Sequence, residues 1–198
     1  MAHTAEEFEK AVQALEQTLS VFVAEEVDAV VLSGIAVAAR RGYKAEREML
    51  AAVSERLGLP INSALGAEVE ALKRLGGGNI AIVTAYREEI NRDLERYFRD
   101  AGFEVAGIKG QGVARPVDQV KLPAGASREA ALSLFREHPE ADAVLVHGRW
   151  RSVEYVEELE EKLDRPVVSG VAASLWWALK TLRMDITVDG YGRLLAES

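Results

Sequence analysis

One strand occurs twice in this chain, and that repetition constrains the fold more than any other feature. Asp28-Ala-Val-Val-Leu-Ser-Gly34 and Asp142-Ala-Val-Leu-Val-His-Gly148 are near-copies, each a short apolar run that stops at Gly. A helical stretch follows each copy, and then a short Pro-led strand, Pro60-Ile-Asn-Ser63 and Pro166-Val-Val-Ser169. A second helix comes next, from about Ala64 in one block and about Ala172 in the other. Self-similarity over a whole strand–helix–strand–helix block predicts a duplicated architecture. Regular alternation of strands and helices predicts an α/β protein with parallel sheets and right-handed crossovers. Ligands in such sheets collect outside the carboxyl ends of the strands, so a shared cleft is expected around Gly34 and Gly148.

The rest of the pattern fills in this frame. Thr4 and Glu7 read as a capping box for a helix over Thr4–Glu25, with Phe8, Val12, Leu15, Leu19 and Phe22 on one face. Further helices are expected over Lys44–Leu57, Ala64–Leu75, Arg87–Ala101, Ser127–His138, Ser152–Leu163 and Ala172–Leu182. Strands are expected over Ala29–Leu32, Ile61–Ser63, Asn79–Ala85, Phe103–Ile108, Ala143–Val146 and Val167–Ser169. Asn79–Ala85 is continuously apolar, as a strand covered on both faces should be. The stretch from Gly110 to Gly125 reads as loop, and Ala36–Tyr43 is small and basic. Gly76-Gly-Gly78 is the clearest joint. It divides the chain into a first half, 1–76 with the tail 184–198, and a second half, 77–183.

Composition bounds the chemistry. The formal charge is −8, from 32 acids against 24 bases, with no basic cluster. Nucleic acid and anionic membrane surfaces are therefore not expected partners, because both require concentrated Lys and Arg. Glu6, Glu7, Glu9, Glu157, Glu158, Glu160 and Glu161 read as solvated helix faces. No apolar run reaches the ~18 residues of a membrane span, and the N-terminus does not read as a signal peptide, which suits a cytoplasmic protein. The chain has no Cys, so neither a disulfide nor a thiolate metal site is possible. No metal-ligand spacing and no glycine-rich phosphate loop occurs, and no cofactor is expected.

Three stretches together resemble the aspartate/glutamate racemase superfamily, and within it the arylmalonate decarboxylase and maleate cis–trans isomerase branch. They are Ala81-Ile-Val-Thr-Ala-Tyr86 with Asn91 five residues later, Arg165-Pro-Val-Val-Ser169 leading into Ser174-Leu-Trp176, and Gly190-Tyr-Gly-Arg-Leu194. The likeness runs from Glu6 onward. It implies two pseudo-symmetric α/β halves facing one cleft, and cofactor-independent decarboxylation or isomerisation at the α-carbon of a small mono- or dicarboxylate. Racemases and maleate isomerases of this kind place a Cys at the equivalent strand end of each half; the decarboxylases keep only the second and have Gly at the first. Here the first position is Gly34. The second is Gly148 when counted from Asp142, or His147 when counted back from Pro166. The relatives also begin with a strand ahead of the first helix that has no counterpart here. An incomplete first half with an open sheet edge is thus expected, together with a homo-oligomer, most simply a dimer, that covers it.

The resemblance and the repeat single out the same residues. His147 is the only titratable residue at a repeat-equivalent strand end, and an imidazole can both donate and accept a proton at neutral pH. Tyr86, with Gly34 and Ile35, is expected to hold the carboxylate and its enediolate, as the matching residues do in the branch. Thr84, Asn91, Gly148 and Arg149 are the remaining expected substrate contacts, Arg149 and Arg151 through forked hydrogen bonds. With Gly34 on the other side, His147 could protonate only one face, which fits a decarboxylase or stereospecific lyase better than a racemase. The alternative is a family member that has lost catalysis and serves as a ligand-binding or partner subunit. That reading accounts for the missing Cys residues and for the bulk of Arg149 and Trp150.

Overall fold

The computed structural model describes residues 5–123, 125–147 and 152–196. In chain order its elements are α1 (Ala5–Ala24), β1 (Val30–Leu32), α2 (Ile35–Arg41), α3 (Tyr43–Leu57), β2 (Ile61–Ser63) and α4 (Ala64–Arg74). They continue with β3 (Asn79–Tyr86), α5 (Glu88–Asp100), β4 (Glu104–Val113), a 3-10 turn (Pro116–Lys121), α6 (Ala126–Glu137) and β5 (Ala143–Val146). A second 3-10 turn (Val153–Tyr155), α7 (Val156–Leu163), β6 (Val167–Ser169), α8 (Gly170–Thr181) and α9 (Arg193–Ala196) complete it. β1 and β2 form a two-stranded sheet; the second sheet has the order β4-β3-β5-β6, and every strand pair is parallel.

The duplication extends to individual hydrogen bonds. Val30, Val31 and Leu32 pair with Ile61, Asn62 and Ser63, and their repeat equivalents Val144, Leu145 and Val146 pair with Val167, Val168 and Ser169 in the same register. Val30 N donates to Pro60 O at 2.9 Å and Val144 N to Pro166 O at 3.0 Å. Ser63 and Ser169 then cap the next helices, accepting from Gly66 N and Ala172 N. Each Ser thus ends a strand and satisfies one of the helix's free first-turn donors. This register makes Ser33 the repeat equivalent of His147.

Period-two alternation in the second sheet sorts its side chains into two cores. Ile80, Ile82, Leu145 and Val168 enter a cluster with Leu65 and Leu72 of α4, Tyr97 and Phe98 of α5, and Trp176 and Trp177 of α8. Ala81, Val83, Val144, Val146 and Val167 face α6 and α7 instead, against Leu134 and Leu159. The first cluster draws on both halves, because α4 packs on α8. A smaller core joins Val12 and Leu19 of α1 to Leu50 and Val53 of α3.

Several elements depart from the sequence expectation. Residues 35–41 form a helix, α2, bounded by Gly34 and Gly42; at seven residues it is too short to display a period. β4 runs on to Val113 through what reads as loop. Gly110 permits this, because a Cβ there would stand 2.3 Å from Tyr86 O and from Asn91 Nδ2. Glu160 is buried rather than solvated: its carboxylate accepts Val167 N at 3.0 Å and Arg193 N at 2.8 Å. The tail carrying Gly192 and Arg193 therefore rests on α7, and α9 packs on α8. Phe22 is exposed beside Val21 and Val23 at the end of α1. The Thr4 cap lies outside the described residues.

Candidate functional site

The end of β1, the start of α2, Tyr86 at the end of β3 and the start of α8 surround a cavity of about 920 Å³. Ser33, Gly34, Ile35 and Ala36 form one wall and Gly170, Val171 and Ser174 another. Val113, Val117, Val120, Leu122 and Pro123, from the end of β4 and the 3-10 segment after it, cover the side. The lining is largely apolar, and among the described residues Glu68 of α4 is its one ionisable carboxyl. A large apolar cleft with a few convergent polar groups at parallel strand ends is the usual form of a small-molecule site.

His147 stands just beyond β5, held by its backbone N–H to Val83 O at 2.8 Å. Its side chain is fully buried, with Nδ1 2.7 Å from Oε2 of Glu68, itself 0% exposed. The pair joins the two halves: Glu68 comes from α4 of the first and His147 from the second sheet. The imidazole ring centre lies 5.7 Å from that of Tyr86. Tyr86 and Glu68 reach the cavity wall, whereas His147 is set behind it.

Thr84 and Asn91 are brought together, but with each other. Thr84 Oγ1 donates to Asn91 Oδ1 at 2.7 Å and accepts Tyr86 N at 3.0 Å, and both residues are buried off the cavity wall. The seven-residue spacing therefore fixes how β3 turns into α5 and where Tyr86 points. Gly34 has φ 125°, in the left-handed region that favours glycine, and with Ile35 it lines the cavity as expected. Gly148, Arg149, Trp150 and Arg151 lie outside the described residues.

Glu68 escaped the sequence reading, although a signal existed. It sits three residues after Leu65 and four before Leu72, on the buried stripe of α4, where an acid needs a partner. Glu46 on α3 is analogous, spaced with Leu50 and Val53. It accepts the Tyr97 hydroxyl and adjoins a second cavity of about 450 Å³ between α1 and α3. Burial pushes the Glu46 carboxyl up, against hydrogen bonds from Tyr97 and Ser63 that pull it down. Burial, and then the neighbouring Glu46, push the Tyr97 phenol above its ordinary value. No grouping of His, Asp and Glu among the described residues could hold a metal ion. No described helix is long and apolar enough to cross a membrane.

Parallel α/β halves whose strand ends and adjoining helices meet at one cavity define the class: a two-sheet α/β protein with a cavity between pseudo-equivalent halves. The family follows from comparison. The arylmalonate decarboxylase family model matches residues 2–195, and the chain belongs to that family. It is 25% identical over 169 residues to the arylmalonate decarboxylase of Bordetella bronchiseptica, covering 84% of this chain and 70% of that protein. It is 27% identical over 181 residues to the maleate isomerase of Nocardia farcinica (strain IFM 10152), covering 88% and 72%. A crystal structure of arylmalonate decarboxylase superposes with a TM-score of 0.88 at 23% identity, over 96% of this chain and 85% of that one. That likeness establishes the fold.

Proposed function

We propose that this chain is a cofactor-independent lyase or isomerase acting at the α-carbon of a small carboxylate through an enediolate. The observation that carries the reading is the His147–Glu68 pair at 2.7 Å beside Tyr86, with Glu68 and Tyr86 lining a largely apolar cavity. The Tyr86 side chain and the Gly34–Ile35 backbone hold the carboxylate and the enediolate oxygens, with Thr84 and Asn91 fixing Tyr86. The apolar walls take the α-substituent. A proton-carrying pair with no counterpart at Gly34 protonates one face of the enediolate. His147 takes the part that Cys plays in the relatives, and Gly148 and Arg149 complete the carboxylate site.

The test uses purified protein with phenylmalonate, 2-methyl-2-phenylmalonate and maleate, followed by NMR and chiral chromatography. Turnover of a malonate with one product enantiomer in excess is expected, and loss of turnover in His147→Ala. Racemic product, or full turnover by His147→Ala, removes the mechanism. A second reading has its own support: His147 is 0% exposed, as suits a degenerate member that binds a ligand or a partner without turning it over. Inactivity on all three compounds with retained binding of phenylacetate favours that alternative.

The same reading includes a homodimer in the cytoplasm. Among the described residues β1 pairs only with β2, whereas its repeat equivalent β5 is flanked on both sides by β6 and β3. A sheet edge left open in this way is an association site, and the exposed Val21, Phe22 and Val23 of α1 supply apolar surface.

A further inference from the structure

Among the described residues three carboxylates are buried in helices, and two of them are fully explained by structural donors. Glu160 accepts two backbone N–H groups, and Glu46 accepts a tyrosine hydroxyl. Glu68 differs. One of its oxygens meets His147 Nδ1; the other, Oε1, is buried with no hydrogen-bond partner among the described residues, while the side chain forms part of the cavity wall. An unpartnered buried carboxyl oxygen costs free energy, and such exceptions call for a reason. Its position supplies one. We propose that Glu68 is the group that carries the proton to the substrate's α-carbon, with His147 behind it as the group that reloads it. This rests on reading the site as one that protonates an enediolate, and it moves the contact with the reacting carbon from His147 to Glu68.

The step balances with a malonate. Loss of CO2 from the dianion breaks the Cα–carboxyl bond and leaves its electron pair in the enediolate. The Glu68 O–H bond then breaks as a Cα–H bond forms, and the O–H electrons remain on the Glu68 carboxylate. A proton taken up from solvent reaches the second ring nitrogen of His147 as the Nδ1 proton passes to the Glu68 carboxylate, so the ring ends neutral and Glu68 is again the acid. One proton is consumed, and CO2 and one monocarboxylate are released. Glu68 lines the cavity but has no water-accessible surface, so its carboxyl turns toward the cavity to meet the carbon, and bulk water is excluded from it until then.

Glu68→Gln separates this role from that of merely orienting the ring, because the amide oxygen can still accept from Nδ1–H but the amide cannot hand on a proton. With phenylmalonate as probe, kcat is expected to fall by about 10²–10⁴-fold, the usual worth of a positioned acid, with KM little changed. Glu68→Asp should restore part of the loss. A Glu68→Gln variant retaining wild-type kcat overturns the proposal while leaving the proposed function standing. Wild-type protein inactive on phenylmalonate, 2-methyl-2-phenylmalonate and maleate overturns both. Should Glu68→Gln not fold, protein labelled at the glutamate carboxyl carbon gives a second measurement, the Glu68 signal being assigned by its loss in Glu68→Asp. That signal is expected to shift as phenylacetate is added, and an unmoved signal at saturation overturns the assignment.

Discussion

The His147–Glu68 contact should be strongly coupled in stability, and a double-mutant cycle measures it. Both side chains are 0% exposed and 2.7 Å apart, so whichever holds the shared hydrogen, each is the other's replacement for lost water. Glu68→Met leaves the imidazole facing a thioether; His147→Leu leaves a buried carboxyl facing a hydrocarbon. Breaking a buried pair from one side costs about 3–5 kcal/mol, because the remaining group keeps its desolvation penalty. The double variant buries two apolar side chains of similar volume and should cost much less than the sum, with a coupling of about 2–3 kcal/mol. At a urea dependence of about 3 kcal/mol per molar, a loss of about 3 kcal/mol lowers the unfolding midpoint by about 1 M. The assay is equilibrium urea unfolding of the four proteins by circular dichroism. Single variants that each cost under ~1 kcal/mol and add to the double within ~0.5 kcal/mol would show that no desolvated contact exists, because independent sites add within that margin.

Three further outcomes are expected. Burial raises Glu46 above the ordinary carboxylate value of 4.5, so the native state binds more proton than the unfolded chain above that pH. Its contribution is complete below about 4.5 and declines as pH rises through the folded value; thermal unfolding of Glu46→Gln should therefore fall off less steeply with rising pH, and parallel profiles refute this. Thr84→Val removes the donor to Asn91 and the acceptor for Tyr86 N; it should cost about 1–3 kcal/mol in urea unfolding, and a neutral result refutes the pinning role. Sedimentation at low micromolar concentration should give twice the chain mass, and a stable, folded monomer refutes the dimer.

Much of the architecture was legible because it rests on local pattern. β5 and β6 occupy the stretches that the apolar runs before Gly148 and after Pro166 indicate, and the repeat predicts the parallel register. α2 was not legible, because its seven residues, flanked by Gly34 and Gly42, cannot show an apolar stripe. Nor was the end of β4, where a glycine reads as a breaker but serves close approach to Tyr86 O. The site was half legible. Strand ends led to Gly34 and Tyr86, which line the cavity, and to His147 behind it, but the partner of His147 lies 79 residues away on the buried stripe of a helix that the strand pattern does not reach. Thr84 and Asn91 drew attention by their chemistry, and that chemistry is spent on each other.

α4 and α8 share one apolar core across the two halves, and Leu65, Leu72, Val168 and Trp176 lie within it. Rocking the two sheets apart would expose that core to water, so the scaffold opposes opening by swinging one half against the other. The route to the cavity then falls to its cover, the segment from Val113 to Pro123. There Val117 and Val120 line the cavity yet are largely exposed, and among the described residues of the segment Val113 and Leu122 pack against the α6–α7 core. Local peeling of such a segment costs far less than separating two packed layers. Ligand exchange would then be timed by these eleven residues, and the rate of release could be tuned there without altering a group that touches the reacting carbon.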